Sequence, residues 1–281
     1  MQVISKNNMQ EYLSGSKLYG DDFNSEQIAQ WFEDESEAYY RLASTYYDIF
    51  SEGNTSYQYE YHQINYQHGF KSFFKKGLND IKVLGVGSAY GCELEPIANF
   101  CNSITILEPS SSFIRSDILG APVHYIKPAT SGELPFDDDA FDLITCFGVL
   151  HHIPNVSKVM SELYRCTKPG GVVLLREPII SMGDWRKPRK GLTTHERGIP
   201  LKIFHSIFSN VGFEIVKEYK CFHTLTQKIA TIFPAASFND KTTVILDQIL
   251  SQLPIWSPRY HPQNLLDKLR PTSAFFYLQK N

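Results

Sequence analysis

The stretch Ile81–Gly91, Ile-Lys-Val-Leu-Gly-Val-Gly-Ser-Ala-Tyr-Gly, limits what this 281-residue chain can fold into more than any other. Ile81, Val83, Leu84 and Val86 are aliphatic and mostly β-branched, the pattern of a short buried strand. Gly85, Gly87 and Gly91 then allow backbone to approach something that a Cβ would block. A strand that breaks into glycines and opens a helix surrounds a nucleotide-like ligand with backbone N–H groups. Plain turns share this look, so the residues downstream of Gly91 have to decide between the two.

The length allows a sizeable core, and 42% apolar with 20% charged residues is ordinary for a globular chain. A net charge of -3 gives no footprint for nucleic acid, so none is expected as a partner. The five cysteines, Cys92, Cys101, Cys146, Cys166 and Cys221, have no CxxC spacing, which reads as reduced structural thiols without a metal site. No apolar leader and no run of eighteen apolar residues is present, so the expectation is a cytoplasmic, non-spanning protein.

Residues 1–79 read as a helical arm, with Ser25 capping a helix whose Ile28, Phe32, Tyr39, Leu42 and Tyr46 share one face, and a second helix over Tyr59–Phe74. Ten of the sixteen tyrosines fall in this arm. Either they pack the arm onto the body, or rings such as Tyr40 and Tyr47 line a polar substrate pocket. From Ile81 strands alternate with helices, the signature of a sheet covered on both faces. The second strand, Ser103–Leu107, ends at Glu108-Pro109, seventeen residues past Gly91, where a carboxylate can accept from both hydroxyls of a ribose. A third strand covers Val123–Lys127. Asp137–Asp139 read as a solvated turn before the fourth strand, Leu143–Phe147. Leu150-His151-His152 follows that strand, then a helix over Val156–Thr167, the turn Lys168-Pro169-Gly170-Gly171, and a fifth strand, Val172–Arg176.

The ordered landmarks Val83–Gly91, Glu108, Leu134-Pro135-Phe136 with Phe141-Asp142, Leu150-His151-His152 and Lys168-Pro169-Gly170-Gly171 resemble those of class I S-adenosylmethionine-dependent methyltransferases of the type 11 group. The resemblance covers about residues 80–220. It implies an α/β, Rossmann-like, seven-stranded and mostly parallel sheet of order 3-2-1-4-5-7-6 with the last strand antiparallel, and S-adenosyl-L-methionine as cofactor. The implied cofactor contacts are Gly85, Gly87, Ser88, Ala89 and Gly91 in the turn, with Glu108 and Pro109 at the ribose. Ser131, Gly132 and Leu134 would serve the adenine, and Phe147 and Gly148 would follow the fourth strand. The chain departs from the family where Gly85 replaces a common acid, Ala89 a glycine, and Thr130 the acid that often holds the adenine amine.

Beyond the fifth strand lies a long basic loop, with six cations against three acids between Arg176 and Arg197. Arg176, Arg186, Arg189 and Arg197 offer planar forks for a phosphate or carboxylate on the substrate; a solvated surface loop is the other reading. Helix Leu201–Asn210 and strand Phe213–Tyr219 resume the pattern. Residues 221–270 then form a cap insertion, helical around Thr242–Leu253, before a final core strand in 271–281. Candidate bases are His151, His152, His195 and Glu177. The expected reaction is O-methylation of a sugar or glycan, from a looser resemblance of Arg176-Glu177-Pro178, Ser181–Arg186 and Glu196–Pro200 to methyltransferases of bacterial surface-polysaccharide assembly. A quinone-type or other small-molecule methyltransferase, an inactive cofactor-binding domain, an RNA methyltransferase and a nicotinamide-binding protein are the alternatives.

Overall fold

The computed structural model describes residues 6–50, 59–77, 79–185, 187, 189–233, 237–256 and 259–281, with backbone alone for 6–8 and 38–50. An eight-stranded sheet runs in the order β3-β4-β2-β1-β5-β6-β8-β7. The strands are β1 (Val83–Val86), β2 (Ile104–Leu107), β3 (Asp117–Ile118), β4 (Ala121–Ile126), β5 (Phe141–Phe147), β6 (Thr167–Pro178), β7 (Phe213–His223) and β8 (Pro271–Lys280). β4, β2, β1, β5 and β6 are parallel neighbours. β8 lies antiparallel between β6 and β7.

The expected seven-strand order is present once β3 is set aside. This two-residue strand turns back on β4 through Leu119 and Gly120, both at positive φ, and is too short to leave a periodic signal. β6 begins earlier than expected. Thr167 pairs with Phe141 and the next pairing is Val172 with Leu143, so Lys168–Gly171 bulges out of a ladder that continues on both sides.

Strand side chains alternate between two cores. Leu84, Ile144, Leu175 and Phe276 face the side covered by α5 (Val156–Cys166) and α6 (Leu201–Val211). Val83, Leu143, Leu174 and Phe275 face a second side with Leu94, Ile97 and residues of the helical stretch after His62. Each fully buried aliphatic or aromatic side chain here contributes about 1.5–3 kcal/mol.

In the arm, α1 (Lys6–Ser14) precedes α2 (Ser25–Phe50). The cap of α2 is Asn24 rather than Ser25: Asn24 Oδ1 accepts from Gln27 N at 3.0 Å while Gln27 Oε1 accepts from Asn24 N at 3.0 Å. Tyr12, Tyr19 and Trp31 join Trp185 and Tyr260 in a third buried cluster, so those tyrosines pack the arm onto the body. The second helix starts at His62 as α3 (His62–Asn65), passes through a π-helical turn (Tyr66–Phe70) and ends in α4 (Lys71–Phe73) and a 3-10 turn. A Cβ on Gly69 would lie 2.7 Å from Phe275, so the glycine lets this helix sit directly on the sheet. In the cap, α8 (Lys241–Gln252) matches expectation, whereas α7 (Thr224–Ile232) had no distinct sequence signal.

Candidate cofactor and acceptor site

β1 runs into the glycine turn. Gly87, at φ +60, donates its N–H to Leu107 O at 2.8 Å, and a Cβ there would lie 2.7 Å from a Val149 methyl. The turn is thus pressed against the segment after β5. Ala89 is left-handed, at φ +45, which costs an L-residue about 1–2 kcal/mol. It is held there because its N–H donates to Glu108 Oε2 at 3.1 Å and its carbonyl accepts from Tyr125 Oη at 2.9 Å.

Gly85 and Gly91 serve packing. A Cβ on Gly85 would run into Ser88 Oγ and lie 2.8 Å from Leu94, and one on Gly91 would meet Ile118 at 2.5 Å. The space of the missing family acid is therefore filled by Ser88. Close by, Glu93 is a buried carboxyl that the sequence reading missed. Burial pushes it up to about 7, against the lowering influence of the Ser88 hydroxyl and Arg176. Its only sequence mark is an acid between apolar Cys92 and Leu94.

Glu108 is buried, and burial raises its pKa although Ala89 N and Ser110 N (3.0 Å) both donate to it. Each oxygen accepts one N–H and keeps a further lone pair for a ligand. Pro109 beside it is exposed. At the expected adenine end, Ser131 is exposed and Gly132 is left-handed at φ +81. Asn155 Nδ2 donates to Ser131 O at 2.8 Å, while its buried Oδ1 has no partner. Leu134 belongs to the core, its N–H held by Glu162 Oε2 and its carbonyl by Arg165.

The acceptor side gathers around Glu177. After Phe147, Gly148 donates to Arg176 O at 2.8 Å. Val149 N and Leu150 N donate to Glu177 Oε1 at 2.7 and 2.8 Å, and His151 Nδ1 meets Glu177 Oε2 at 2.8 Å. His151 Nε2 lies 3.4 Å from Glu196 Oε1. Burial pulls His151 down, but the two carboxylates outweigh it and raise its pKa to about 9. Burial conversely pushes Glu196 up, and the two histidines with Thr193 N bring it to about 2. His152 Nδ1 meets Glu35 Oε2 at 3.1 Å, and Glu35 also accepts from Thr193 Oγ1 at 2.5 Å and His195 N at 2.6 Å. Ligating atoms of His151, His152 and Glu196 lie within 4.8 Å of one another, a spacing a metal could use. His195 is set apart from His151: its Nε2 meets Asp34 at 2.7 Å and its ring stacks on Trp31 at 4.5 Å.

The arginines correct the expectation of an anion grip. Arg197 is fully buried, and its guanidinium donates to the carbonyls of Tyr19, Leu150, His151, Ile153 and Pro154. Arg189 donates to the carbonyls of Met182, Thr193, Thr194 and Glu196. Arg189 thus binds the loop's own backbone, whereas Arg197 ties the loop to the arm and to the segment after β5, and both guanidinium groups are engaged by carbonyls. Arg176 is buried, donates to Asn65 Oδ1 at 2.8 Å and lies over the rings of Tyr61, Phe147 and Phe222. Arg186 and the side chains of Tyr40 and Tyr47 lie outside the described residues.

His151 opens on a cavity of about 790 Å³. Glu60, Tyr61, Gln227, Thr231, Ser237, Thr272 and Ser273 supply polar wall, and Ile180, Met182, Leu192, Phe222 and Phe238 supply apolar wall.

Residues 84–175, from the glycine turn through the core of β6, match the family model described as a methyltransferase domain. These residues carry a methyltransferase domain. Its cofactor is S-adenosyl-L-methionine, and the cradle fits it: Gly87 and left-handed Ala89 keep the turn open, and Glu108 retains acceptor capacity for a ribose diol. The chain is 24% identical over 178 residues to a Mycolicibacterium smegmatis protein named "Probable S-adenosylmethionine-dependent methyltransferase", covering 60% of this chain and 63% of that one. It is 26% identical over 174 residues to the sterol 24-C-methyltransferase of Kluyveromyces lactis, covering 56% and 45%. The chain thus spans less than two thirds of the length of these relatives. Among solved structures, the 4+2 cyclase SpnF shares the fold of the methyltransferase domain with a TM-score of 0.54 at 15% identity, covering 88% of this chain and 96% of that one.

Proposed function

We propose that this protein methylates a hydroxyl of a saccharide-type acceptor, with His151 as general base. The observation that carries the reading is the His151–Glu177 pair on the wall of a cavity that presents five hydroxyls, from Tyr61, Thr231, Ser237, Thr272 and Ser273, and the Gln227 amide. When bound, S-adenosyl-L-methionine supplies an electrophilic methyl on a sulfonium. Glu177 fixes the Nδ1–H tautomer of His151, which leaves Nε2 unprotonated to accept the proton of the attacking hydroxyl. Glu196, 3.4 Å from Nε2, stabilises the imidazolium that results. The residue must be neutral to act, so burial by acceptor and cofactor works together with rising pH. Glu60 and Tyr61 of the arm face Phe222 and Phe238 of the cap as walls of the cavity. The cradle and Val149 pack together at Gly87, so a cofactor held by the cradle would lie beside the segment that carries His151.

A second reading comes from the apolar half of the wall. Relatives include the demethylmenaquinone methyltransferase of Streptomyces avermitilis, 42% identical over 62 residues, covering 21% of this chain and 27% of that one. A quinone-type acceptor would suit Ile180, Met182, Phe222 and Phe238. Incubating the protein and S-adenosyl-L-methionine with nucleotide-linked and lipid-linked saccharides, and separately with demethylated quinones, distinguishes the two by mass spectrometry. A methyl ether on a saccharide is expected. Methylation of the quinone carbon alone would overturn the proposal, and cofactor binding by calorimetry with no product from any acceptor would favour an inactive binding domain.

A further inference from the structure

Single exposed apolar side chains are normal on a folded surface. Here they are concentrated: of the sixteen large apolar residues exposed among the described residues, eleven lie between Leu225 and Leu266. On α7, Leu225, Ile229 and Ile232 fall on one helical face, continued by Phe233. On α8, Ile245, Leu246 and Ile249 do the same, continued by Leu253. Ile255, at 72% exposure, and Leu265, at 78%, extend the apolar character to the loop beyond. The opposite face of α7 carries Gln227, Ala230 and Thr231, which line the cavity. One helix therefore separates the cavity from an apolar surface.

The charges of the cap are equally one-sided. Between Thr224 and Arg270 the only acids are Asp240, Asp247 and Asp267. Asp240 caps α8 by accepting from Thr243 N and Oγ1. Asp247 is fully buried and accepts from Phe222 N, His223 N and Thr226 Oγ1. Asp267 is buried against Arg259. Lys228, Lys241 and Lys268 are exposed.

We propose that the α7–α8 surface docks on an anionic lipid bilayer, with its apolar side chains in the headgroup layer and its lysines on lipid phosphates. Exposed apolar residues among cations, with every acid of the segment engaged internally, are what such a surface selects. A second copy of the chain fits less well, because a two-fold contact would set this lysine-bearing surface against itself without acids to meet it. Docking would hold the cavity one helix diameter, about 10 Å, from the bilayer, within reach of a lipid-borne acceptor. The proposal goes beyond methyl transfer, and its test needs no turnover.

The test is cosedimentation of the full chain with sucrose-loaded vesicles of phosphatidylcholine alone and with added phosphatidylglycerol. Binding to the anionic vesicles that weakens with added salt is expected. Exchanging both Lys228→Gln and Lys241→Gln should lower the partition coefficient roughly thirtyfold, and Ile229→Asn with Ile249→Asn should abolish binding. Unchanged thermal midpoints and cofactor affinity for these variants establish that the fold survives. Failure of the wild-type chain to bind anionic vesicles overturns the proposal. So does a dimer in analytical ultracentrifugation that Ile249→Asn dissociates without any vesicle binding, which would assign the surface to a second copy. Equal partition of the lysine variant would remove lipid phosphate as the occupant.

Discussion

The candidate cofactor side and the proposed acceptor side are built over different distances along the chain. The cradle is local: Glu108 reaches Ala89 across 19 residues, and the glycine turn is one continuous segment. The acceptor side is assembled from remote pieces: Glu35 of the arm reaches Thr193 across 158 residues, and Arg197 reaches Tyr19 across 178. The cradle consists mainly of backbone with one carboxylate. The acceptor side is a network of histidines, carboxylates and one buried guanidinium, whose protonation states depend on one another. Cofactor binding should therefore tolerate changes in the network, while catalysis should be sensitive to them.

The strongest way to break that division is His151→Ala. Turnover should fall by roughly 10²–10⁴-fold while calorimetric cofactor affinity stays within a factor of a few; parallel loss of both would show that the two sides are one unit. In the parent, turnover at saturating acceptor should rise with pH until His151 is neutral, near its raised pKa of about 9, and His151→Ala should flatten the profile. The stability contribution runs the other way. His151 lies above its ordinary 6.5, so the stabilisation from its imidazolium is complete below that pH and is lost as pH rises through about 9.

Arg197→Ala ranks second. It strips donors from five carbonyls and should destabilise the fold by about 3–5 kcal/mol in denaturant melts. Lys187, 77% exposed and 3.9 Å from Asp184, gives the control: Lys187→Ala should change stability by less than about 0.5 kcal/mol. On the cradle side, Glu108→Ala should weaken cofactor binding about tenfold to a hundredfold and leave turnover at saturating cofactor largely intact. Apart from the Lys187 control, the smallest effect belongs to Ala89→Gly. Relief of the left-handed strain is partly offset by unfolded-chain entropy, for a gain of about 1 kcal/mol or less, read as a small rise in thermal midpoint.

The same contrast of distances explains what the sequence disclosed. The individual strands and Glu108 at the end of β2 were legible because each rests on a short run with its own pattern or spacing, while the strand order and the His151 segment were legible through the resemblance carried by the ordered landmarks. The roles of Arg189 and Arg197 were not. A guanidinium that binds backbone carbonyls and one that waits for a phosphate look the same in a sequence, and only the folded path of 181–200 separates them. Glu93 was missed because an acid one step past a turn looks solvated until a sheet closes over it. Ala89 in place of the middle glycine is visible in the sequence, but the Tyr125 and Glu108 contacts that hold its strained backbone lie 36 and 19 residues away.

The placement of β8 has a consequence for the order of folding. β6 and β7 never touch each other along their lengths; both pair with β8, which comes after the whole of residues 224–270. While the chain is being synthesised, β6 carries an open hydrogen-bonding edge, flanked by Val172–Leu175, until that later segment arrives. Such an edge is a template for wrong partners. The protein is thus most vulnerable to aggregation in the interval between completing β7 and admitting β8, and substitutions that slow folding of the cap should lower soluble yield more than they lower equilibrium stability.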